Sequence, residues 1–230
     1  MSQTFGKKEL NKHTTDDLKK MQAWSFERKI MVTQTRIQEW YQRFDGKVAI
    51  NFSGGVDSTV LLDLARCCYH DIPAVFVDTG LEWPEVRETG YVPIVGTLAS
   101  ESRRRRDAWL LTGCNAFDAK KQISKPLSFW KQSDVLHYIH EFNIPYASIY
   151  GEIVADKKGV YKTTGAKQTG CSLCPTGCHL DKTNKYKLMK ETHPDLWDYG
   201  INALGLGDFL DFVGVDYGRE CECQSNSTPL

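Results

Sequence analysis

Apolar residues recur at helical spacing in the first part of the chain. From Thr14 to about Phe44 they fall every three or four positions, which predicts one long helix or two shorter ones ending near Asp45-Gly46. Thr14 can cap the first turn, and Asp17 three positions later favours the positive end of the helix dipole. We therefore expect residues 1–46 to form a helical lead-in.

The pattern changes to short apolar runs after residue 46. Residues 47–53 and 74–78 are apolar runs of strand length, and residues 58–69 between them have helical spacing. Strand, helix and strand within about 30 residues form a βαβ unit with parallel strands. The sequence therefore predicts an α/β fold, with a mainly parallel sheet flanked by helices and a ligand at the carboxyl ends of the strands.

A third strand is predicted at residues 92–96, close behind the second. The spacer from Leu81 to Tyr91 is short for a parallel crossover, which needs a dozen or more residues. Either the third strand is not the neighbour of the second in the sheet, or the chain is shortened near residues 87–91.

The rest of the chain alternates helical segments with a long loop. A glycine-rich loop that carries cysteines is expected at residues 162–178. We predict a nucleotide-binding α/β domain over residues 47–150 and a Cys-rich, helical C-terminal segment over residues 151–230. Further helices are predicted at residues 100–111, 133–142 (capped by Ser133), 185–191 and 202–218.

Composition narrows the class of protein. The 230 residues carry 29 Lys and Arg against 29 Asp and Glu, so the net charge gives no reason to expect a nucleic-acid or membrane partner. The chain starts without the apolar core of a signal peptide, and no apolar stretch approaches the roughly 18 residues of a membrane helix. We expect a cytoplasmic protein whose thiols stay reduced.

The connection between the first strand and its helix has the composition of a phosphate site. Two glycines let the backbone approach a ligand closely, and the following helix start favours an anion. Serine hydroxyls add donors, whereas Asp57 is better suited to hold the loop or a metal ion. The pattern is neither the Walker nor the Rossmann fingerprint. The predicted nucleotide-binding residues of this loop are Ser53, Gly54, Gly55, Val56, Asp57 and Ser58.

This loop resembles the signature of the PP-loop ATP pyrophosphatases, within the adenine nucleotide alpha-hydrolase-like superfamily. Five later segments resemble, in order, motifs of the phosphoadenosine phosphosulfate (PAPS) reductase family. They cover residues 77–85, 96–106, 126–138, 143–146 and 170–174. The Thr-Gly-Cys-x-x-Cys-x-x-Gly variant at residues 169–177 is similar to the reductase-like proteins of bacterial and prophage genomes.

The resemblance implies a sulfur-metabolism enzyme that binds ATP or an adenylyl-sulfate and carries out reductive sulfur chemistry or sulfur transfer, with a thiol reductant protein as partner. It adds Asp78 and Thr97 to the nucleotide site, together with Arg103 and Arg106, whose guanidinium forks suit phosphate or sulfate oxygens. It also makes Cys221 the candidate catalytic nucleophile, although the acids beside it raise a thiol pKa.

The cysteines predict a metal site. Cys171 and Cys174 have metal-pair spacing, Cys178 adds a third thiolate, and Cys114 is a candidate fourth ligand. Thiolates select zinc or an iron–sulfur cluster. The resemblance favours a [4Fe-4S] cluster over zinc, but the family's adjacent cysteine pair is missing, since Cys67-Cys68 lies too early in the chain.

Two other functions stay open from the sequence. One is ATP-dependent sulfur transfer to nucleic acid, as in tRNA thiolation or DNA phosphorothioation, which the neutral charge balance disfavours. The other is an inactive nucleotide- or metal-binding descendant, which a chain shortened near residues 87–91 would favour.

Overall fold

The structure is a computed structural model that describes residues 12–76, 91–167, 173–175, 178–180 and 184–219. The chain divides into two compact units, Met1–Gly165 and Ala166–Leu230. The division falls later than the predicted boundary after residue 150, because the segment that follows folds back on the first unit. There the ring of Tyr161 stacks on His137 with centroids 4.7 Å apart.

The described elements of the first unit alternate helices with short strands. They are α1 (Thr15–Gln22), α2 (Phe26–Arg43), β1 (Val48–Phe52), α3 (Val56–Cys68), β2 (Ala74–Phe76), β3 (Val92–Val95), α4 (Arg103–Thr112), β4 (Asn115–Ala116), β5 (Ile123–Ser124), α5 (Gln132–Glu141), a 3-10 turn (Ser148–Tyr150), β6 (Ile153–Ala155) and β7 (Tyr161–Thr163).

The described strands β1 to β5 form one mainly parallel sheet in the order β2-β1-β3-β5-β4. Asn51 of β1 pairs with Val75 on one side and with Val95 on the other, and both pairings are parallel. β5 is parallel to β3, and β4 is antiparallel to β5 at the edge. The predicted α/β fold is confirmed, and the third strand lies across β1 from the second rather than beside it.

The N-terminal segment forms two helices, which is one of the two arrangements that the sequence predicts. The Thr14 hydroxyl accepts from Asp17 N (3.1 Å) and the Asp17 carboxylate accepts from Thr14 N (2.9 Å), which confirms the predicted cap. Ile37 and Trp40 of α2 are fully buried in the same core as Leu61 of α3. The lead-in is therefore part of the first unit's core.

Two predicted helix starts are wrong. α4 begins at Arg103 rather than residue 100, because the Ser102 hydroxyl accepts from Arg105 N (3.2 Å) and sets the cap there. α5 begins at Gln132, so Ser133 lies inside the helix. The Asp134 carboxylate accepts from Lys131 N (2.7 Å) and satisfies the start of that helix.

The predicted loop over residues 162–178 begins inside a β-hairpin. β6 and β7 pair antiparallel, with Val154 opposite Lys162. The Asp156 carboxylate accepts from the backbone N–H of Lys158 (2.9 Å) and of Val160 (3.1 Å), which closes the turn.

The second unit is a small helical body with its own core. Its described elements are a 3-10 turn (Cys178–Leu180), α6 (Lys185–Thr192), α7 (Pro194–Asp198), a π-helix (Tyr199–Ala203) and α8 (Leu206–Phe212). The helix predicted at 185–191 is confirmed. The single helix predicted over 202–218 is wrong, because Gly205 (φ +70°) and Gly214 (φ +71°) take left-handed conformations that interrupt it.

Candidate nucleotide-binding site

The predicted phosphate loop lies between the end of β1 at Phe52 and the start of α3 at Val56. Gly54 has φ +76°, a left-handed conformation that favours glycine, and a Cβ there would meet nothing within 4 Å. Gly55 caps α3 without a side-chain hydrogen bond. Because the first turn of a helix leaves N–H groups without intrahelical partners, this start is suited to an anion.

The Ser58 side chain holds the loop together through hydrogen bonds to its backbone. It is buried, its hydroxyl donates to Gly55 O (2.9 Å), and it accepts from Ser53 N (3.2 Å). The Thr59 hydroxyl also donates to Gly55 O (3.1 Å). These two hydroxyl protons are engaged within the loop, whereas Ser53 is exposed, with its hydroxyl 3.2 Å from that of Ser58. Backbone amides and Ser53 are therefore the loop's remaining donors.

Tyr150 braces the start of α3 from a distant part of the chain. Its ring is fully buried at the end of the 3-10 turn, and its hydroxyl accepts from Val56 N (3.3 Å). Sequence reasoning missed this contact, because nothing in the local pattern links two residues 94 positions apart.

The end of β3 packs directly against the loop. A Cβ on Gly96 would lie 2.8 Å from Asp57 O and 3.1 Å from Ser58 N, so only glycine permits this approach. Thr97 follows Gly96 and is half-buried. The structure thus brings the segment that contains the predicted residue Thr97 to the start of α3.

The carboxyl group of the loop, that of Asp57, has a strongly shifted pKa. Burial, together with the negative charge of Glu101, raises the pKa of Asp57 to about 7, and the charge of Arg105 opposes this rise. The Asp57 Oδ1 atom is buried and has no hydrogen-bond partner among the described residues. A carboxyl with this pKa is about half protonated near neutral pH, so it carries less negative charge than an ordinary aspartate would.

The predicted arginine segment begins α4, and all four of its arginines are exposed. Arg103 and Arg106 each lie 3.8 Å from a carboxylate oxygen of Asp107. Arg105, which the sequence prediction did not single out, pairs with Glu101, whose carboxylate also accepts from Leu98 N (2.8 Å). Arg105 and Glu101 are the residues of this segment whose charges act on Asp57.

Several predicted residues lie outside the described part of the chain. They are Asp78 of the nucleotide site, Cys171 of the metal site and the candidate nucleophile Cys221. The segment near residues 87–91, where the sequence predicts that the chain is shortened, also lies outside the described residues, except for Tyr91.

The described candidate metal ligands belong to two different units. Cys114 is buried in the core of the first unit, and burial raises the pKa of its thiol. In the second unit Cys178 is buried and Cys174 is half-buried, with the Cys174 carbonyl accepting from Lys185 Nζ (2.5 Å) and the Tyr186 hydroxyl (3.1 Å). Within the described ranges, no three His, Cys, Asp or Glu side chains form a group able to hold a metal ion.

Comparisons with known proteins point the same way as the geometry. A comparison with curated proteins finds no match. No helix among the described residues is long and apolar enough to cross a membrane. Residues 47–91, which include β1, the loop, α3 and β2, match the family model described as the phosphoadenosine phosphosulfate reductase domain. The mainly parallel α/β sheet is consistent with an adenine nucleotide alpha-hydrolase-like fold, and the match over residues 47–91 supports membership of the PAPS reductase family.

Proposed function

We propose that residues 53–58 bind the phosphates of ATP or an adenylyl-sulfate, and that the protein uses this nucleotide in reductive sulfur chemistry or sulfur transfer. The observation that carries the proposal is the left-handed turn at Gly54 in front of α3, whose N-cap residue is a glycine and makes no side-chain hydrogen bond. Together they offer backbone N–H groups and a positive helix end to an anion.

The other predicted residues have complementary roles in this proposal. Ser58 and Gly96 fix the shape of the loop, and Thr97 stands at the end of β3 beside it. Arg103 and Arg106 are proposed to bind phosphate or sulfate oxygens, because guanidinium groups form paired hydrogen bonds with them. Asp78 and the candidate nucleophile Cys221 remain predictions from the sequence.

The test compares two glycines in the same backbone conformation. Gly54 (φ +76°) and Gly159 (φ +73°) both have open space where a Cβ would stand, but Gly159 lies in the β6–β7 turn. In Gly54→Ala the left-handed turn costs about 1–2 kcal/mol. The loop therefore relaxes away from the phosphate-binding shape, and nucleotide affinity falls about tenfold or more. Gly159→Ala pays a similar conformational cost and keeps the wild-type affinity.

The measurement is calorimetric titration of wild type and both variants with ATP, adenylyl-sulfate and phosphoadenylyl-sulfate. Equal affinities for wild type and Gly54→Ala would contradict a phosphate role for the loop. Wild-type protein that binds none of the three nucleotides would favour the inactive descendant. Which nucleotide binds most tightly identifies the substrate class.

A second candidate function is ATP-dependent sulfur transfer to nucleic acid. The observation that favours it is the exposure of all four α4 arginines, since the Arg103 side chain is 87% exposed. Binding of tRNA or duplex DNA that weakens steeply with salt would support this candidate, because neutralised phosphates release counterions. Absence of such binding leaves the small-molecule reaction.

We also propose that Cys171, Cys174 and Cys178 bind a [4Fe-4S] cluster or, alternatively, zinc. Cys174 and Cys178 fit such a site by chemistry, since both are thiols of one unit, and Lys185 and Tyr186 hold the Cys174 carbonyl. Cys114 stays a prediction as fourth ligand, although its buried thiol resists the deprotonation that metal binding needs. Such a cluster would supply electrons to a sulfur substrate.

A further inference from the structure

The second unit contains a π-helix, Tyr199–Ala203, between α7 and α8. π-helices are rare and occur frequently at functional sites. Gly200, its second residue, is buried, and a Cβ on Gly200 would lie 2.3 Å from Leu173 Cδ2 and 3.5 Å from Leu173 Cγ. The Leu173 side chain therefore occupies the space that any other residue at position 200 would fill.

A glycine at this position needs a physical reason. After proline, glycine is the least favourable residue inside a helix. Gly200 does not have a positive φ, so its backbone conformation does not require glycine. The close approach of Leu173 does require it.

Leu173 directly precedes Cys174, a candidate metal ligand that a second element also holds. The Cys174 carbonyl accepts from Lys185 Nζ (2.5 Å) and from the Tyr186 hydroxyl (3.1 Å), and both donors belong to α6. Tyr186 is fully buried, so its hydroxyl has a fixed position. The π-helix thus contacts residue 173, while α6 holds the carbonyl of residue 174.

Cys178, the other described candidate ligand of this unit, is tied to the same two elements. Cys178 N donates to Pro175 O (3.1 Å), which closes a turn immediately after Cys174. The Cys178 side chain is buried in the small core that includes Tyr186 of α6 and Ile201 of the π-helix. The positions of both cysteines therefore depend on how their segment packs against α6 and the π-helix.

We propose that Gly200 is a positioning residue for Cys174: it admits the Leu173 side chain, and this contact sets where the Cys174 thiol stands relative to Cys178. Thiolate ligands must all lie about 2.3 Å from a zinc ion, so a displaced Cys174 weakens binding. Gly200 acts through Leu173 and does not touch the metal. The inference rests on the proposed thiolate metal site.

The test removes or displaces the Leu173 side chain. Leu173→Ala takes it away from the π-helix, and Gly200→Ala fills its place. We expect each variant to bind Zn²⁺ on the order of fivefold more weakly, and iodoacetamide to alkylate Cys174 faster by a similar factor, because the segment opens more often. Zn²⁺ titration against a chromophoric chelator, and mass spectrometry of the alkylated metal-free full chain, measure these changes.

The double variant shows whether the two residues act through one contact. It should bind Zn²⁺ no more weakly than Leu173→Ala, because the methyl group added at position 200 then has no side chain to displace. Additive losses in the double variant would overturn the proposal, since they would show two independent effects.

Gly207→Ala is the matched control. Gly207 is also a buried glycine of the second unit, in α8, but a Cβ there would meet Ile201 Cγ2 (3.2 Å) and the Tyr217 hydroxyl (3.4 Å). This variant should keep Zn²⁺ affinity and Cys174 alkylation within about twofold of wild type. Losses equal to those of Gly200→Ala would overturn the proposal, because they would come from a loosened core.

Failure of the metal site is distinguishable from failure of the contact. Wild type that carries no iron and binds no Zn²⁺ contradicts the proposed metal site, and Cys174 alkylation then decides the contact alone. An unchanged alkylation rate in Leu173→Ala overturns the contact. If Gly200→Ala does not fold, Leu173→Ala still provides the comparison with wild type, because Leu173 is only half-buried.

Discussion

At the residue scale, Asp57 is an acidic residue within the proposed phosphate loop. Its carboxyl is buried next to Glu101, and both facts favour the protonated form. Because Oδ1 has no hydrogen-bond partner among the described residues, the ionised form lacks donors that would stabilise a carboxylate. The cost of this arrangement is expected to appear as a dependence of stability on pH.

Asp57→Asn tests this cost. Because the pKa of Asp57 is about 7 in the folded protein and near 3.8 when unfolded, its contribution to stability is fully present below pH 3.8 and is lost as pH rises through 7. We expect Asp57→Asn to be more stable than wild type at pH 8, by on the order of 2 kcal/mol, and equal to it near pH 3.5. Urea unfolding across this pH range measures the difference.

Asp156→Asn is the control, because the pKa of Asp156 is shifted in the opposite direction. Hydrogen bonds from Lys162 and from the hairpin backbone lower the pKa of Asp156 to about 2. Its stabilisation is present above pH 3.8 and is lost as pH falls through 2, so this variant should be less stable than wild type at pH 8. An Asp57→Asn variant whose stability follows wild type at every pH would contradict the raised pKa.

At the element scale, α4 begins against the usual charge preference. Its first turn contains arginines and no acid, although the N-terminal end of a helix carries partial positive charge. Ser102 caps the helix, and Arg105 pairs with Glu101, whereas Arg104 forms no ion pair within the part of the chain that the structure describes. A binding role for the segment would explain why such a start is retained.

Arg104→Glu is therefore expected to stabilise the protein. Replacing a cation by an anion at the positive end of α4 should raise the free energy of unfolding by about 0.5 kcal/mol at low salt. Arg66 is exposed in the last turn of α3, where a cation interacts favourably with the negative end of the helix dipole. Arg66→Glu should therefore lower the free energy of unfolding by a similar amount. Thermal unfolding at two salt concentrations measures both, and a destabilised Arg104→Glu would contradict the dipole argument.

At the scale of the whole molecule, the proposed nucleotide loop and two of the proposed metal ligands belong to different units. The phosphate loop and the parallel sheet belong to the first unit, whereas Cys174 and Cys178 belong to the second, with a small core of its own. In the second unit Lys185 and Tyr186 hold the backbone at Cys174. This arrangement is consistent with a structural or redox role for the second unit.

Metal analysis of the full chain after anaerobic purification tests that role. We expect Cys174→Ser to lose most of the bound iron or zinc, because the site loses a thiolate ligand. Cys67→Ser changes an exposed cysteine of α3 and should retain the metal. Four irons with a broad band near about 400 nm would identify the cluster, and zinc alone would identify a structural clip. Equal metal content in both variants would contradict the site.

Local features could be predicted because their causes are local. The Thr14 cap, the two apolar strands and the glycine turn before α3 each depend on residues within a few positions, and each appears where the sequence predicts it. The errors fall where tertiary contacts or single glycines decide, as in the helix predicted over 202–218 and the hairpin over 153–163.

The sequence by itself determined the α/β class and the strand–loop–helix unit of this protein, because periodicity and glycine positions act along the chain. The tertiary structure alone decided that β1 lies between β2 and β3, and that Tyr150, Gly96 and Glu101 converge on the loop. It also decided that Leu173 packs against Gly200 in the second unit. The physical reason is that these contacts join residues dozens of positions apart, and their energy depends on burial and packing that only the folded chain creates.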